Sequence, residues 1–226
     1  MPNQLHSPLA PRITVAVADE CPAMREGLTR LISDECDLAV TGSAATGREL
    51  RELVSREPPK VLVMDVVLSD DDGLVLIKEI ASAGPVPSIV VFTLQPEGVY
   101  AERCFRLGAR AFVTKREAVT TLFRAIRETA AGGLFVPAAV SVSMFSNSSS
   151  TGGKDIGLAA QLTDRELEIF RLVGLAFSTR DVAARLGVSI KTIESHRENI
   201  KNKLAIESHS ELVARASQWL RETGGT

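Results

Sequence analysis

The chain has 226 residues, a formal net charge of −2 and 45% hydrophobic residues, enough to build one large domain or two small ones with buried cores. No apolar stretch reaches the length of a membrane span, and the first residues lack the apolar segment of a secretory signal peptide. The three cysteines are widely spaced, without the pattern of a metal site or a disulfide framework. These features exclude a membrane protein and a disulfide-stapled secreted domain, and they predict a cytoplasmic protein.

The first half of the chain alternates short apolar runs with amphipathic segments. Predicted strands cover 13–18, 38–44, 60–64, 88–92 and 111–114, and predicted helices cover 22–32, 50–54, 74–82, 99–107 and 122–130. Because parallel strands need helical crossovers, this order predicts a doubly wound, five-stranded parallel sheet with helices on both faces.

Reactive side chains stand at the carboxyl ends of four predicted strands: Asp19 with Glu20, Asp65, Thr93 and Lys115. Such ends meet at one edge of an open parallel sheet, where ligands bind. A carboxylate there can act as a nucleophile toward phosphorus, and carboxylates are ligands that Mg²⁺ prefers. A simpler interpretation, that Asp65 only begins the acidic turn of residues 70–72, leaves the other strand ends unexplained.

Beyond residue 132 the pattern changes. Residues 143–153 are rich in Ser and Gly, which predicts a flexible linker over 133–160. After the linker the period is helical only, and Thr163 with Glu166 forms a capping-box pattern. Helices capped by Ser178 and Ser189 are separated by a turn at 187–189, which is the signature of a helix-turn-helix. A fourth helix is predicted over 211–220, so the second half is an all-α, four-helix domain.

Several of these motifs together resemble the receiver domain of two-component response regulators, a flavodoxin-like fold. The motifs are Ala18-Asp19-Glu20-Cys21-Pro22, Met64-Asp65, Asp72-Gly73, Phe92-Thr93 and Phe112-Val113-Thr114-Lys115. The resemblance covers 12–132 and implies that Asp65 is the phosphoacceptor. It implies a Mg²⁺ site formed by Asp19, Glu20, Asp65 and the carbonyl of Val67. Thr93 and Lys115 would then bind the phosphoryl group, and Phe112 would move with Thr93 unless it only packs the core.

Two residues depart from that family's pattern. Glu20 stands where a second aspartate is usual, and its extra methylene predicts weaker binding of Mg²⁺, which tolerates little geometric error. Ser69 stands where a proline is usual, so the loop after Asp65 is expected to be less rigid.

The helix predicted over 190–204 is the second of the helix-turn-helix, the position that enters the major groove of DNA. Its motif Lys191-Thr192-Ile193-Glu194 and the flanking residues resemble the LuxR-type DNA-binding domain over 161–226, and the whole architecture resembles the NarL/FixJ subfamily. The resemblance implies base contacts by Glu194, Ser195 and Glu198. The phosphate contacts that it implies come from Lys191, Thr192, Arg197, Lys201 and Lys203. His196 is either a groove or interface residue or a helix-packing histidine, and Trp219 is expected to pack the last helix, which the resemblance places at a dimer interface.

The predicted function is a transcriptional regulator, not an enzyme, that binds double-stranded DNA. Its expected partners are a sensor histidine kinase, which phosphorylates Asp65, and a second copy of the chain in the active state. The alternative is a DNA-binding regulator whose receiver is a phosphorylation-independent protein-interaction module. Glu20 and Ser69 are the features that favour this alternative.

Overall fold

Five parallel strands form a single sheet in the computed structural model, which describes residues 11–83, 87–137 and 158–223. The strands are β1 Ile13–Ala18, β2 Leu38–Ala44, β3 Val61–Met64, β4 Ser88–Thr93 and β5 Ala111–Thr114. Their order in the sheet is β2-β1-β3-β4-β5, and every pairing is parallel. The predicted doubly wound sheet is therefore confirmed.

Five helices cover the two faces of this sheet. They are α1 Pro22–Ser33, α2 Gly47–Arg56, α3 Gly73–Ser82, α4 Glu97–Leu107 and α5 Val119–Ala130. Alternate strand residues point to opposite faces: Val61 and Val63 pack with α1 and α5, whereas Leu62 and Met64 pack with α2, α3 and α4. Burial on both faces explains why the central strand β3 is a continuous apolar run, whereas the edge strand β2 is only partly buried and includes Thr41 and Ser43.

The predicted linker is packed at both described ends, while residues 138–157 lie outside the described part of the chain. Phe135 lies beside Ala111 on β5 and donates its N–H to the Arg110 carbonyl at 2.9 Å. At the other end Leu158 and Ala159 are buried. The flexibility of the segment between them stays a prediction.

Four helices build the second domain: α6 Asp164–Gly174, α7 Thr179–Arg185, α8 Ile190–Leu204 and α9 His209–Thr223. The three predicted caps are present at Thr163, Ser178 and Ser189, and Ser178 forms a capping box with Asp181. The last helix begins two residues earlier than predicted because the Ser208 hydroxyl accepts the N–H of Glu211 at 3.1 Å. None of the described helices is long and apolar enough to cross a membrane.

Close packing of α6 against α9 forms the core of this helical domain. The rings of Phe170 and Trp219 lie 5.7 Å apart, and Trp219 is 1% exposed, so its predicted packing role is confirmed. A Cβ at Gly174 would lie 2.7 Å from the Ala216 carbonyl oxygen. Glycine at this position therefore allows the two helices to approach.

The two domains are packed against each other. Their buried apolar side chains form one continuous cluster, which extends from α3 and α4 into α6, α7, α8 and α9. The helical domain therefore covers part of the sheet domain rather than standing apart from it.

Candidate functional site

Four of the predicted site residues meet at the carboxyl edge of the sheet. Lys115 Nζ lies 2.5 Å from both Asp19 Oδ2 and Asp65 Oδ2. The Thr93 hydroxyl donates to Asp65 Oδ1 at 2.6 Å. Asp19, Asp65 and Thr93 are all buried, so these charges and hydrogen bonds act with little screening by water.

The strand ladders continue into the site and fix its backbone. The N–H of Asp65 donates to the Ala18 carbonyl at 2.9 Å, and the N–H of Lys115 donates to the Thr93 carbonyl at 2.8 Å. Because these bonds extend the pairing of neighbouring strands, the side chains that follow β1, β3, β4 and β5 are brought together.

Electrostatics keeps the lysine charged. Burial of Lys115 lowers its pKa, but the carboxylates of Asp65 and Asp19 outweigh that effect and raise the pKa above its ordinary value. One ammonium thus faces two carboxylates. The remaining negative charge and the carboxylate oxygens suit a small hard cation.

Glu20 does not join this group. Its carboxylate accepts a hydrogen bond from Arg185 of α7 at 3.1 Å. The Val67 N–H donates to Asp65 Oδ1 at 3.1 Å, which places the loop after β3 against the carboxylate. In the described part of the chain, no three acidic, histidine or cysteine side chains form a ready-made metal cluster.

Phe112 is fully buried on β5, within the apolar cluster shared by α3 and α4. This position agrees with a packing role. The expected movement with Thr93 stays a prediction.

The acidic turn has structural partners. Asp70 accepts the N–H of Gly47 at 2.6 Å, Asp71 pairs with Arg51 at 2.7 Å, and Asp72 caps α3 by accepting the N–H of Leu74 at 3.0 Å. Burial, reinforced by Glu168, raises the pKa of Asp72 to about 7. These aspartates serve the loop and its helices, not the cluster around Asp65.

The outer face of α8 carries the predicted DNA-contacting residues. Six of them are exposed, namely Lys191, Thr192, Glu194, Ser195, Glu198 and Lys203, whereas His196, Arg197 and Lys201 are half-buried. Arg197 contacts the hydroxyl of Thr179 and the ring of His209, so its guanidinium is held between α7 and α9.

Two lysines of the same helix bind neighbouring acids. Lys201 pairs with Glu198 at 2.8 Å, and Lys203 pairs at 2.5 Å with Glu166, the capping-box residue of α6. Lys203 thereby joins the end of α8 to the start of α6.

The domain interface contains functional candidates that the sequence patterns did not reveal. Arg103 of α4, only 8% exposed, donates to the carbonyls of Ala159 and Leu162 and to the carboxylate of Asp164. On α6 the buried pair Glu168 and Arg171 forms a two-bonded salt bridge. The sequence carried no clear signal for this pair, because Glu168 and Arg171 share one side of α6 with Asp164 and Arg165, which is the pattern of an ordinary solvated face.

Comparisons with known proteins agree with this geometry. Residues 15–127 match the response regulator receiver domain, and residues 160–216 match the bacterial regulatory proteins of the luxR family. The chain therefore belongs to the DNA-binding response regulators, whose control of transcription depends on phosphorylation of the receiver. That family consists of regulators, not enzymes.

Relatives match over nearly the whole chain. The oxygen regulatory protein NreC of Staphylococcus aureus is 29% identical over 204 residues, which cover 88% of this chain and 94% of that protein. The RcsB response regulator of Salmonella typhimurium, studied for its conformational dynamism in DNA interaction, has a TM-score of 0.72 at 25% identity. That match covers 92% of this chain and 98% of RcsB. A structure of an RcsB–DNA complex matches with a TM-score of 0.55 at 25% identity, covering 91% of this chain and 98% of that one.

Proposed function

We propose that a sensor histidine kinase phosphorylates this protein on Asp65 and that the phosphoryl group controls how its helical domain binds DNA. The observation that carries the proposal is the arrangement around one buried carboxylate. Asp65 is contacted by the Thr93 hydroxyl and the Lys115 ammonium, with the Asp19 carboxylate on the same ammonium.

Each of these side chains has a part in phosphoryl transfer. An oxygen of Asp65 attacks phosphorus while the bond from phosphorus to the kinase histidine breaks, which yields an acyl phosphate and a free histidine. Lys115 offsets negative charge on the phosphoryl oxygens. The Thr93 hydroxyl, now bound to Asp65, can turn to donate to the phosphoryl group.

The residues fit a Mg²⁺ ion as cofactor. The carboxylates of Asp19 and Asp65 already lie close together, since both contact the ammonium of Lys115. Asp19, Asp65, Glu20 and the Val67 carbonyl would hold the ion, and all four supply the oxygen ligands that Mg²⁺ prefers. When bound, Mg²⁺ would neutralise charge on the transferring phosphoryl group.

Helix α8 would enter the major groove of double-stranded DNA. Glu194, Ser195 and Glu198 would contact bases, while Lys191, Thr192, Arg197, Lys201 and Lys203 would contact phosphates, with His196 beside them. We propose that the active form is a homodimer with α9 at its interface and that it works in the cytoplasm, where chromosomal DNA lies. For Lys203 to contact a phosphate, its amine must leave Glu166.

The chain segment that follows Thr93 connects the phosphoacceptor site with the helical domain. The Thr93 hydroxyl accepts the N–H of Gln95 at 3.2 Å, in the loop that begins α4. Helix α4 carries Arg103, which bonds to the helical domain. We infer that a change at Thr93 alters this interface, frees the helical domain and promotes dimerisation.

Phosphate labelling tests the assignment of Asp65. Wild-type protein, Asp65→Asn and the matched control Asp71→Asn are incubated with Mg²⁺ and a small phosphodonor. Wild type and Asp71→Asn should take up a hydroxylamine-labile phosphate, because Asp71 serves only Arg51 and its own loop, whereas Asp65→Asn should take up none. Undiminished labelling of Asp65→Asn would refute the assignment, and an unlabelled wild type would support a phosphorylation-independent receiver.

A further inference from the structure

Arg185 links the helix-turn-helix to the mouth of the phosphoacceptor site. Its guanidinium donates to Glu20 Oε2 at 3.1 Å and to the Leu68 carbonyl at 3.3 Å, across 165 and 117 residues of sequence. The same group lies 5.6 Å from the centre of the Phe177 ring, which supports it from within its own domain. These contacts hold the Arg185 side chain in place, and it is only 20% exposed.

The two loops that Arg185 holds are the loops assigned to Mg²⁺ above. Glu20 lies in the loop after β1, and Leu68 directly follows Val67 in the loop after β3. A cation of the helical domain therefore occupies the carboxylate that the metal ion needs. A guanidinium and a divalent ion on one carboxylate would repel each other at short range.

We propose that Arg185 and Mg²⁺ compete for Glu20, so that metal binding weakens docking of the helical domain and docking weakens metal binding. The inference rests on the proposed Mg²⁺ site. Docking and metal binding are linked thermodynamically. Any effect of docking on Mg²⁺ affinity must be matched by an equal effect of Mg²⁺ on docking.

This competition also explains why residue 20 is a glutamate. The extra methylene that separates it from the usual aspartate lets its carboxylate turn away from Asp19 and Asp65 and contact Arg185. The departure thus has a role in the docked state, where it completes a contact between the domains.

Arg185 is one of several contacts across the interface, so its loss weakens docking without abolishing every contact between the domains. Arg103 bonds to three groups of the helical domain, and Arg165 lies 3.8 Å from Asp72. Removing Arg185 should therefore release Glu20 while leaving both domains folded.

The test is Mg²⁺ titration of the full-length protein by calorimetry. The variants are Arg185→Ala, Arg185→Lys and the matched control Arg180→Ala, which removes an exposed arginine from the same helix. Arg185→Ala should bind Mg²⁺ at least about fivefold more tightly than wild type, the lower end of usual coupling between sites. The Mg²⁺ affinity of Arg185→Lys should lie between those of wild type and Arg185→Ala. The Mg²⁺ affinity of Arg180→Ala should equal that of wild type.

Small-angle scattering supplies the reciprocal measurement. Wild-type protein should expand when Mg²⁺ replaces a chelator, and Arg185→Ala should expand less because its contact is already absent. Equal Mg²⁺ affinity in wild type and Arg185→Ala would overturn the competition while leaving the metal site intact. Absence of Mg²⁺ binding in both proteins would instead refute the metal site, and the competition with it.

Discussion

Arg103 of α4 and Asp164 of α6 form an ion pair of 2.5 Å that crosses the interface between the sheet domain and the helical domain. The same guanidinium donates to the carbonyls of Ala159 and Leu162 at 2.7 and 2.8 Å. One buried side chain therefore satisfies three acceptors on residues 159–164, where the chain leaves the linker and enters α6. This arrangement makes Arg103 the main polar anchor of the docked state.

Arg103→Ala should separate the domains. The substitution leaves the buried carbonyls of Ala159 and Leu162 without their donor and removes the closer of the two arginines that pair with Asp164. Small-angle scattering should give a larger radius of gyration for Arg103→Ala than for wild type. Arg106→Ala is the matched control, because Arg106 contacts the same Asp164 at 3.3 Å from an exposed position. Equal compactness of wild type and Arg103→Ala would contradict the anchor.

Glu20→Asp should strengthen Mg²⁺ binding in a calorimetric titration. The shorter side chain brings the carboxylate back toward Asp19 and withdraws it from Arg185, so both effects act in the same direction. The double variant Glu20→Asp with Arg185→Ala separates the two effects. In it the contact with Arg185 is absent, so any gain over Arg185→Ala alone comes from the shorter side chain. Equal or weaker binding by Glu20→Asp would mean that the site is adapted to the longer side chain.

Glu194→Ala should relax the preference for one base pair in each half-site. The carboxylate of an exposed glutamate is repelled by nearby DNA phosphates. We expect a hydrogen bond from the amino group of cytosine to compensate for this repulsion, with a contribution of about 1–3 kcal/mol. Glu198 is the weaker candidate because its carboxylate already binds Lys201 at 2.8 Å. Site selection with randomised DNA measures the preference.

Lys201→Ala is the contrasting variant for this readout. It should weaken binding to all sequences alike and reduce the salt dependence by about one phosphate contact. An unchanged base preference in both Glu194→Ala and Glu198→Ala would show that the two carboxylates only position neighbouring cations.

Much of the sheet domain could be predicted because its sequence signals are local. Four of the strands are short, largely apolar runs, and a polar residue stands at the carboxyl end of each of these four. The meeting of Asp65, Thr93 and Lys115 at one edge of the sheet therefore follows from the alternation of strands and helices. Helix caps such as Thr163 with Glu166 are equally local signals. The bounds of α8 match the prediction, whereas α9 extends beyond the predicted range at both ends.

Contacts between the domains could not be predicted in this way. Arg103 meets Asp164 across 61 residues, and Arg185 meets Glu20 across 165. Neither pair has a periodic signal, because each depends on how two finished domains dock. The position of Glu20 in the chain suggested a carboxylate directed toward the Mg²⁺ site beside Asp19. The carboxylate instead contacts Arg185, and this contact exists only because the two domains dock.

The most direct test of phosphorylation control is the DNA affinity of the full-length protein with and without a small phosphodonor and Mg²⁺. Salt concentration must be held constant, since it sets the phosphate contribution to binding. Wild type should bind its selected site about tenfold more tightly or better when phosphorylated, within the usual range of coupling between sites. Asp65→Asn should show one affinity under both conditions. Identical affinities for wild type in the two states would contradict the account.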